Sequence, residues 1–201
     1  MPAGGKVPRI CHHPVSRTEG RPHAGAEYGR ERIMKEKFEF RTILQTEARQ
    51  AAELEQICFP PNEACKEADM IARAAAAEDL FLIAADPVTG QIAGYLNGIA
   101  TDEAEFRDEF FTDASLHTPA GRNIMLLGLC VRPAYRRQGL ASEIVRRYAE
   151  RESARGRERL ILTCLEDKVP MYLGMGFADL GLSASTWGGV SWHEMAYLLQ
   201  R

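Results

Sequence analysis

The chain has no Cys-x-x-Cys pair, and its five cysteines (Cys11, Cys58, Cys65, Cys130 and Cys164) are odd in number. A disulfide framework and a closed zinc site are both excluded on that pattern. No apolar run approaches the roughly 20 residues that cross a bilayer. The N-terminus lacks the apolar stretch of a secretory signal, so a reducing cytoplasm is the expected compartment and no membrane partner is expected. Charge of one sign is also scarce: the net charge of −3 gives no case for a nucleic-acid surface. Two nucleotide cradles are missing as well. There is neither a Gly-x-x-x-x-Gly-Lys-Ser/Thr loop nor a Gly-x-Gly-x-x-Gly turn after an early strand, which excludes a P-loop NTPase and a dinucleotide fold.

What is present suits one domain with a proper core: 201 residues, 45% of them hydrophobic. Residues 1–37 are rich in Gly, Pro, Arg and His, have no hydrophobic period, and read as a disordered extension before a domain at 38–201. Met34 could be the natural start. Cys11-His12-His13 in this tail supplies no closed coordination sphere, so no metal is expected.

From Phe38 the pattern alternates between periods near two and near 3.6 residues. It predicts a strand over 38–44, helices over 47–58 and 62–77, and a hairpin of strands 80–85 and 91–100 about Asp86-Pro87-Val88-Thr89-Gly90. The acidic stretch from Thr101 to Thr118 reads as a short helix and a loop. A strand over 123–131, a helix over 140–155, a strand over 160–164, a helix over 170–175 and strands at 177–180 and 191–199 complete the order. The expected fold is therefore α/β (α+β), with a mixed, twisted central sheet of about seven strands flanked by helices.

Between the apolar run ending at Val131 and the helix beginning at Leu140 lies a basic loop, Arg132-Pro133-Ala134-Tyr135-Arg136-Arg137-Gln138-Gly139. A strand, a Gly-containing basic turn and a helix N-terminus make an anion cradle, because first-turn N–H groups are unpaired and the helix dipole adds positive charge. Arg136 and Arg137 stand at its rim, and a pyrophosphate is the expected guest. Arg146 and Arg147, further along, read as a solvated helix face. Downstream, Val169-Pro170-Met171-Tyr172-Leu173-Gly174-Met175-Gly176-Phe177 reads as a short helix with Pro in its first turn and Gly at its end.

Arg136-x-x-Gly139-x-Ala141 resembles the pyrophosphate loop of the GNAT acetyltransferase superfamily, and Val169 to Phe177 resembles that family's second signature. His117 to Arg122, the strand to Val131 and Val190 to Met195 narrow the likeness to the serotonin (arylalkylamine) N-acetyltransferase branch. The resemblance implies acetyl-CoA as co-substrate and the primary amine of a small molecule, of arylalkylamine or polyamine type, as acceptor. The backbone of Leu129, Cys130 and Val131 would bond the pantetheine arm and stabilise an oxyanion. Arg136, Arg137, Gln138, Gly139, Leu140, Ala141 and Ser142 would hold the pyrophosphate, and Tyr172 would protonate the departing thiolate. Met125 and Leu127 stand where vertebrate members carry a His pair, so the branch's proton path does not carry over.

An alkylamine with a pKa near 10 is neutral about one part in a thousand at pH 7, a cost of roughly 4 kcal/mol. Something must take that proton. Glu166, His193, Glu194 and His117 are side-chain candidates, with a water path ranked ahead of each. Phe59 and Phe110 are the expected aromatic wall of the acceptor pocket. The alternatives are a peptide, protein or aminoglycoside amine as acceptor, and a non-catalytic CoA-binding module. The sequence leaves the oligomeric state open.

Overall fold

The computed structural model describes Met34 and residues 37–200. The remainder of the expected extension lies outside the described residues. Seven strands form one sheet in the order β1-β2-β3-β4-β5-β7-β6. They are β1 (Glu39–Thr42), β2 (Phe81–Ala85), β3 (Ile92–Thr101), β4 (Asn123–Val131), β5 (Arg159–Cys164), β6 (Ala178–Leu182) and β7 (His193–Leu198). Four α-helices accompany them among the described residues: α1 (Ala48–Cys58), α2 (Glu67–Ala76), α3 (Leu140–Ala154) and α4 (Val169–Gly174).

Side-chain alternation along the strands divides the interior into two cores. Leu82 and Ala84 of β2 pack on one side with Leu140, Ile144 and Tyr148 of α3. Phe81, Ile83, Tyr95 and Cys130 pack on the other with Ala51, Leu54, Met70 and Ala74 of α1 and α2. Leu140, Ile144 and Tyr148 recur every four residues, so one face of α3 is buried on the sheet. Each such side chain contributes about 1.5–3 kcal/mol through removal from water. The Tyr148 hydroxyl donates to the Leu80 carbonyl at 3.0 Å, which lets its polar tip be buried too.

The sheet is antiparallel except at its centre, where β4 and β5 run parallel. Their pairing covers only Asn123↔Arg159 to Met125↔Ile161. Beyond Met125 the two strands part, and the splay exposes the edges of both to one cavity.

Three stretches differ from the sequence pattern. The helix expected from 62 begins at Glu67, because Glu63 N–H and Ala64 N–H turn back onto the Pro60 carbonyl at 3.0 and 2.9 Å. Between β3 and β4 there are two single 3-10 turns, Asp108–Phe111 and Ala114–Leu116, rather than an α-helix. The last strand starts at His193, since Gly188 (φ 67°) and Gly189 (φ 77°) turn the chain just before it. Among the described residues no helix is long and apolar enough to cross a membrane.

Candidate active site

The loop after β4 ends in an unusual backbone. Arg137 has φ 60°, the one positive value at a non-glycine position among the described residues, and Gly139 follows at 83°. Left-handed residues in a short loop turn successive N–H groups toward one concavity, which suits an anion. α3 begins directly afterwards with Gly139 as N-cap and no side-chain cap. The first-turn N–H groups of Leu140, Ala141 and Ser142 are therefore available to a ligand. This arrangement fits a pyrophosphate, with Arg136 and Arg137 at its edge.

A cavity of about 720 Å³ runs from this loop into the β4–β5 splay. Arg136, Arg137, Gly139, Leu140, Ala141 and Ser142 line one end, and Gly128, Leu129 and Val131 of β4 line its length. Gln138 is off the wall: its side-chain amide donates to the Ala134 carbonyl at 3.1 Å. Cys130 turns its side chain to the opposite face of β4 and is fully buried, so only its backbone belongs with Leu129 and Val131.

Tyr172, on α4, lines the cavity beside Met171 and Lys168. Its ring packs edge-on against Phe177, with centroids 5.4 Å apart. Burial pushes the phenol well above its ordinary range, so it holds its proton throughout the neutral region.

The side-chain bases named from the sequence lie elsewhere. Glu166 is exposed and does not line the cavity. His193 faces Asp179 at 3.1 Å, and the Glu194 carboxylate accepts from the Phe106 N–H at 3.1 Å. His117 accepts from the Ala100 N–H at 3.1 Å, and burial lowers its pKa.

The buried carboxylate on the wall is Glu55, which sequence reasoning missed. It projects from α1, is 3% exposed, and accepts a hydrogen bond from the Tyr95 hydroxyl. The Cys130 thiol lies 3.5 Å from the same oxygen. Burial raises the pKa of the Glu55 carboxyl, opposed by the Tyr95 bond, the charge of Arg73, the Cys130 bond and the Cys65 N–H. Gly128 faces it closely: a Cβ there would stand 3.1 Å from Glu55 Oε2, a tight contact that the carboxylate would have to relieve by a few tenths of an ångström. The signal was available. Glu55 follows Ala51 by four residues and sits within the apolar stripe of α1, where a carboxylate needs a reason.

One turn on, Cys58 also lines the cavity. Its thiol is lowered to about 6, chiefly by a hydrogen bond from Cys130 and then by Arg136, with burial opposing.

At the far end the walls are aromatic. Phe59, Phe111, Trp187 and Trp192 line the cavity together with Pro60 and Glu63. Phe110, expected there, is instead buried in the core at 1% exposure, and its neighbour Phe111 takes the wall. Consecutive side chains in a 3-10 turn point about 120° apart, so only one of the two Phe residues can face in. Phe111 and Trp187 stack with centroids 4.8 Å apart. Trp187 Nε1–H donates to the Glu63 carbonyl at 3.0 Å, and Thr186 N–H donates to Asp108 at 3.0 Å. These bonds tie the 59–66, 102–118 and 183–192 segments together beside the cavity.

The pattern of the Acetyltransferase (GNAT) family matches residues 48–177. Serotonin N-acetyltransferase of Mesocricetus auratus is 30% identical over 107 residues, which are 53% of this chain and 50% of that protein. The chain thus spans about half the length of this curated relative. Among solved structures, the fold is similar to the loading GNATL domain of CurA from Lyngbya majuscula (TM-score 0.70, 15% identity, 81% of this chain and 98% of that one). It is also similar to the GphF GNAT-like decarboxylase in complex with isobutyryl-CoA (TM-score 0.68, 18% identity, 81% and 100%). YhbS from Escherichia coli, in complex with CoA, gives a TM-score of 0.55 at 19% identity over 82% of each chain.

Proposed function

The chain belongs to the acetyltransferase (GNAT) family, and from that premise we propose that it is an acetyl-CoA-dependent N-acetyltransferase acting on a small primary amine of arylalkylamine type. The observation that carries this reading is one cavity shared by an anion loop, a buried carboxylate, a protonated phenol and an aromatic end wall.

Acetyl-CoA would supply an activated acetyl thioester, its pyrophosphate on the loop from Arg136 to Ser142 and its pantetheine along Leu129 to Val131. The aryl part of the acceptor would lie between Phe59, Phe111 and Trp187, with the Glu55 and Glu63 carboxylates favouring an ammonium on entry. Glu55 takes the proton that the amine must lose before it can attack. Its raised pKa makes it a stronger base than an exposed carboxylate, which narrows the gap to the amine. A backbone N–H on the Leu129 to Val131 segment stabilises the oxyanion. Tyr172 delivers its proton to the departing sulfur. The cytoplasm, where CoA thiols stay reduced, is the fitting compartment.

A peptide or protein acceptor would want an open groove, whereas the Phe111–Trp187 stack and the bonds at Glu63 and Asp108 close this end. A CoA-binding module without catalysis has no use for Glu55 and Tyr172 in the same cavity.

Turnover of Glu55→Gln with tryptamine tests the reading. General-base loss lowers kcat by about a hundredfold or more while acetyl-CoA still binds by calorimetry. Wild-type turnover in this variant would return the proton path to water.

A further inference from the structure

Glu63 lines the aromatic end of the cavity with Phe59, Phe111, Trp187 and Trp192. Its backbone is fixed on both sides: the N–H donates to the Pro60 carbonyl at 3.0 Å, and the carbonyl accepts from Trp187 Nε1–H at 3.0 Å. Its stem is fixed as well. A Cβ on Gly188 would stand 2.8 Å from Glu63 Cγ, closer than side chains pack. Gly188 is held in that place by Asn62 Nδ2, which donates to its carbonyl at 2.8 Å. The carboxylate alone is unused: no hydrogen bond or ion pair reaches it among the described residues.

The surroundings suit a positive charge. Trp192 Nε1–H donates to the Trp187 carbonyl at 2.9 Å, so both indole N–H groups are engaged and the two rings offer the cavity carbon surface. Aromatic faces attract ammonium groups, and rings beside a carboxylate are a recurrent way of holding one. The cations of the wall stand elsewhere, Arg136 and Arg137 at the loop after β4, and Lys168 before α4, where it pairs with Asp167. A half-buried carboxylate with no cation of the protein beside it carries a desolvation cost that an ammonium on the ligand would offset. The two carboxylates of the wall also stand in different places. Glu55 Oε2 lies against Gly128 and Cys130 of β4, whereas the Glu63 stem lies against Gly188 in the 183–192 segment.

We propose that Glu63 is a specificity-determining residue that takes a second ammonium, at the end of the acceptor remote from the reacting amine, so that an aryl diamine is preferred to the corresponding monoamine. The inference rests on the proposed function, in which the aryl part of the acceptor lies between Phe59, Phe111 and Trp187, and adds what the far side of that ring carries.

The test is calorimetry of protein saturated with CoA and titrated with phenethylamine or with 4-(aminomethyl)phenethylamine, which bears one more ammonium across the ring. The diamine should bind about tenfold tighter or more. Glu63→Gln keeps the size and hydrogen-bonding capacity of the side chain but loses the charge, and in it the ratio of the two affinities should fall to near one. Tyramine carries a neutral donor at the same ring position and should gain little over phenethylamine. Hexylamine and hexane-1,6-diamine repeat the comparison without a ring. Equal affinities within both pairs in the wild type overturn the proposal, as does a preference that survives in Glu63→Gln. A gain for tyramine as large as that of the diamine assigns a neutral donor instead and overturns it too. Binding needs no turnover, so these results are separable from failure of the Glu55→Gln kinetic test. An enzyme that acetylates phenethylamine without preferring the diamine keeps the proposed function and loses this inference alone.

Discussion

Arg136 Nη2 lies 3.5 Å from Cys58 Sγ, so the anion loop touches the helix that carries Glu55. Arg136 Nε also donates to the Val131 carbonyl at 2.9 Å, which joins the loop to the strand along the cavity. The loop after β4, the strand β4 and the helix α1 are therefore in direct contact beside the cavity.

Cys58 reports on that contact. With its thiol lowered to about 6, Cys58 is expected to carry a large thiolate fraction at neutral pH. Alkylation by iodoacetamide should rise through pH 6 and level off by about pH 7, where an ordinary thiol near 8.5 is still climbing. Cys130 and Cys65, buried and pushed up, should not react in the folded protein. Acetyl-CoA should slow labelling by covering the same cavity. Peptide mass spectrometry reads all three outcomes.

Gly139 should not tolerate Asp. The position has φ 83° and begins the helix without a side-chain cap, so Asp adds negative charge at the expected pyrophosphate and strains the turn. Acetyl-CoA affinity by calorimetry should fall about tenfold or more, since each ~1.4 kcal/mol is a factor of ten. Unchanged affinity would remove the loop from the cofactor site.

Tyr172→Phe should lower kcat by about a hundredfold with acetyl-CoA binding retained. Burial holds the wild-type phenol protonated well above neutral pH, so no basic limb from Tyr172 should appear in the working range. Survival of kcat would assign the acid elsewhere.

Phe111→Ala and Trp187→Ala should each raise KM for an aryl amine. An aromatic pair is worth about 1 kcal/mol beyond its buried area, or roughly fivefold. KM for acetyl-CoA should stay constant, because both rings lie at the other end of the cavity. Equal effects on both substrates would point to general loosening of the fold.

The fold and the course of the loop after β4 were legible because both write themselves in short-range pattern. β4 is a continuous apolar run over Asn123–Val131, and Arg136, Gly139 and the following amphipathic helix are adjacent in sequence. The aromatic end of the cavity was legible only in part. Phe59 faces the cavity as expected, but choosing between Phe110 and Phe111 depends on the 3-10 turn that carries them. Trp187 reaches the site through a turn built on Gly188 and Gly189, which leaves no periodic trace. Glu55 was hidden differently. Its neighbours Tyr95, Gly128 and Cys130 come from two other strands, so the setting of its carboxylate is tertiary throughout.

The most direct test of the central claim is release of free thiol from acetyl-CoA against tryptamine, phenethylamine, spermidine, kanamycin and a short peptide. Identification of the product by mass spectrometry completes it. The account predicts turnover with tryptamine and phenethylamine, N-acetylated at the primary amine, and little with kanamycin or the peptide. Tight acetyl-CoA binding with no thiol released by any amine would contradict it and favour a CoA-binding module.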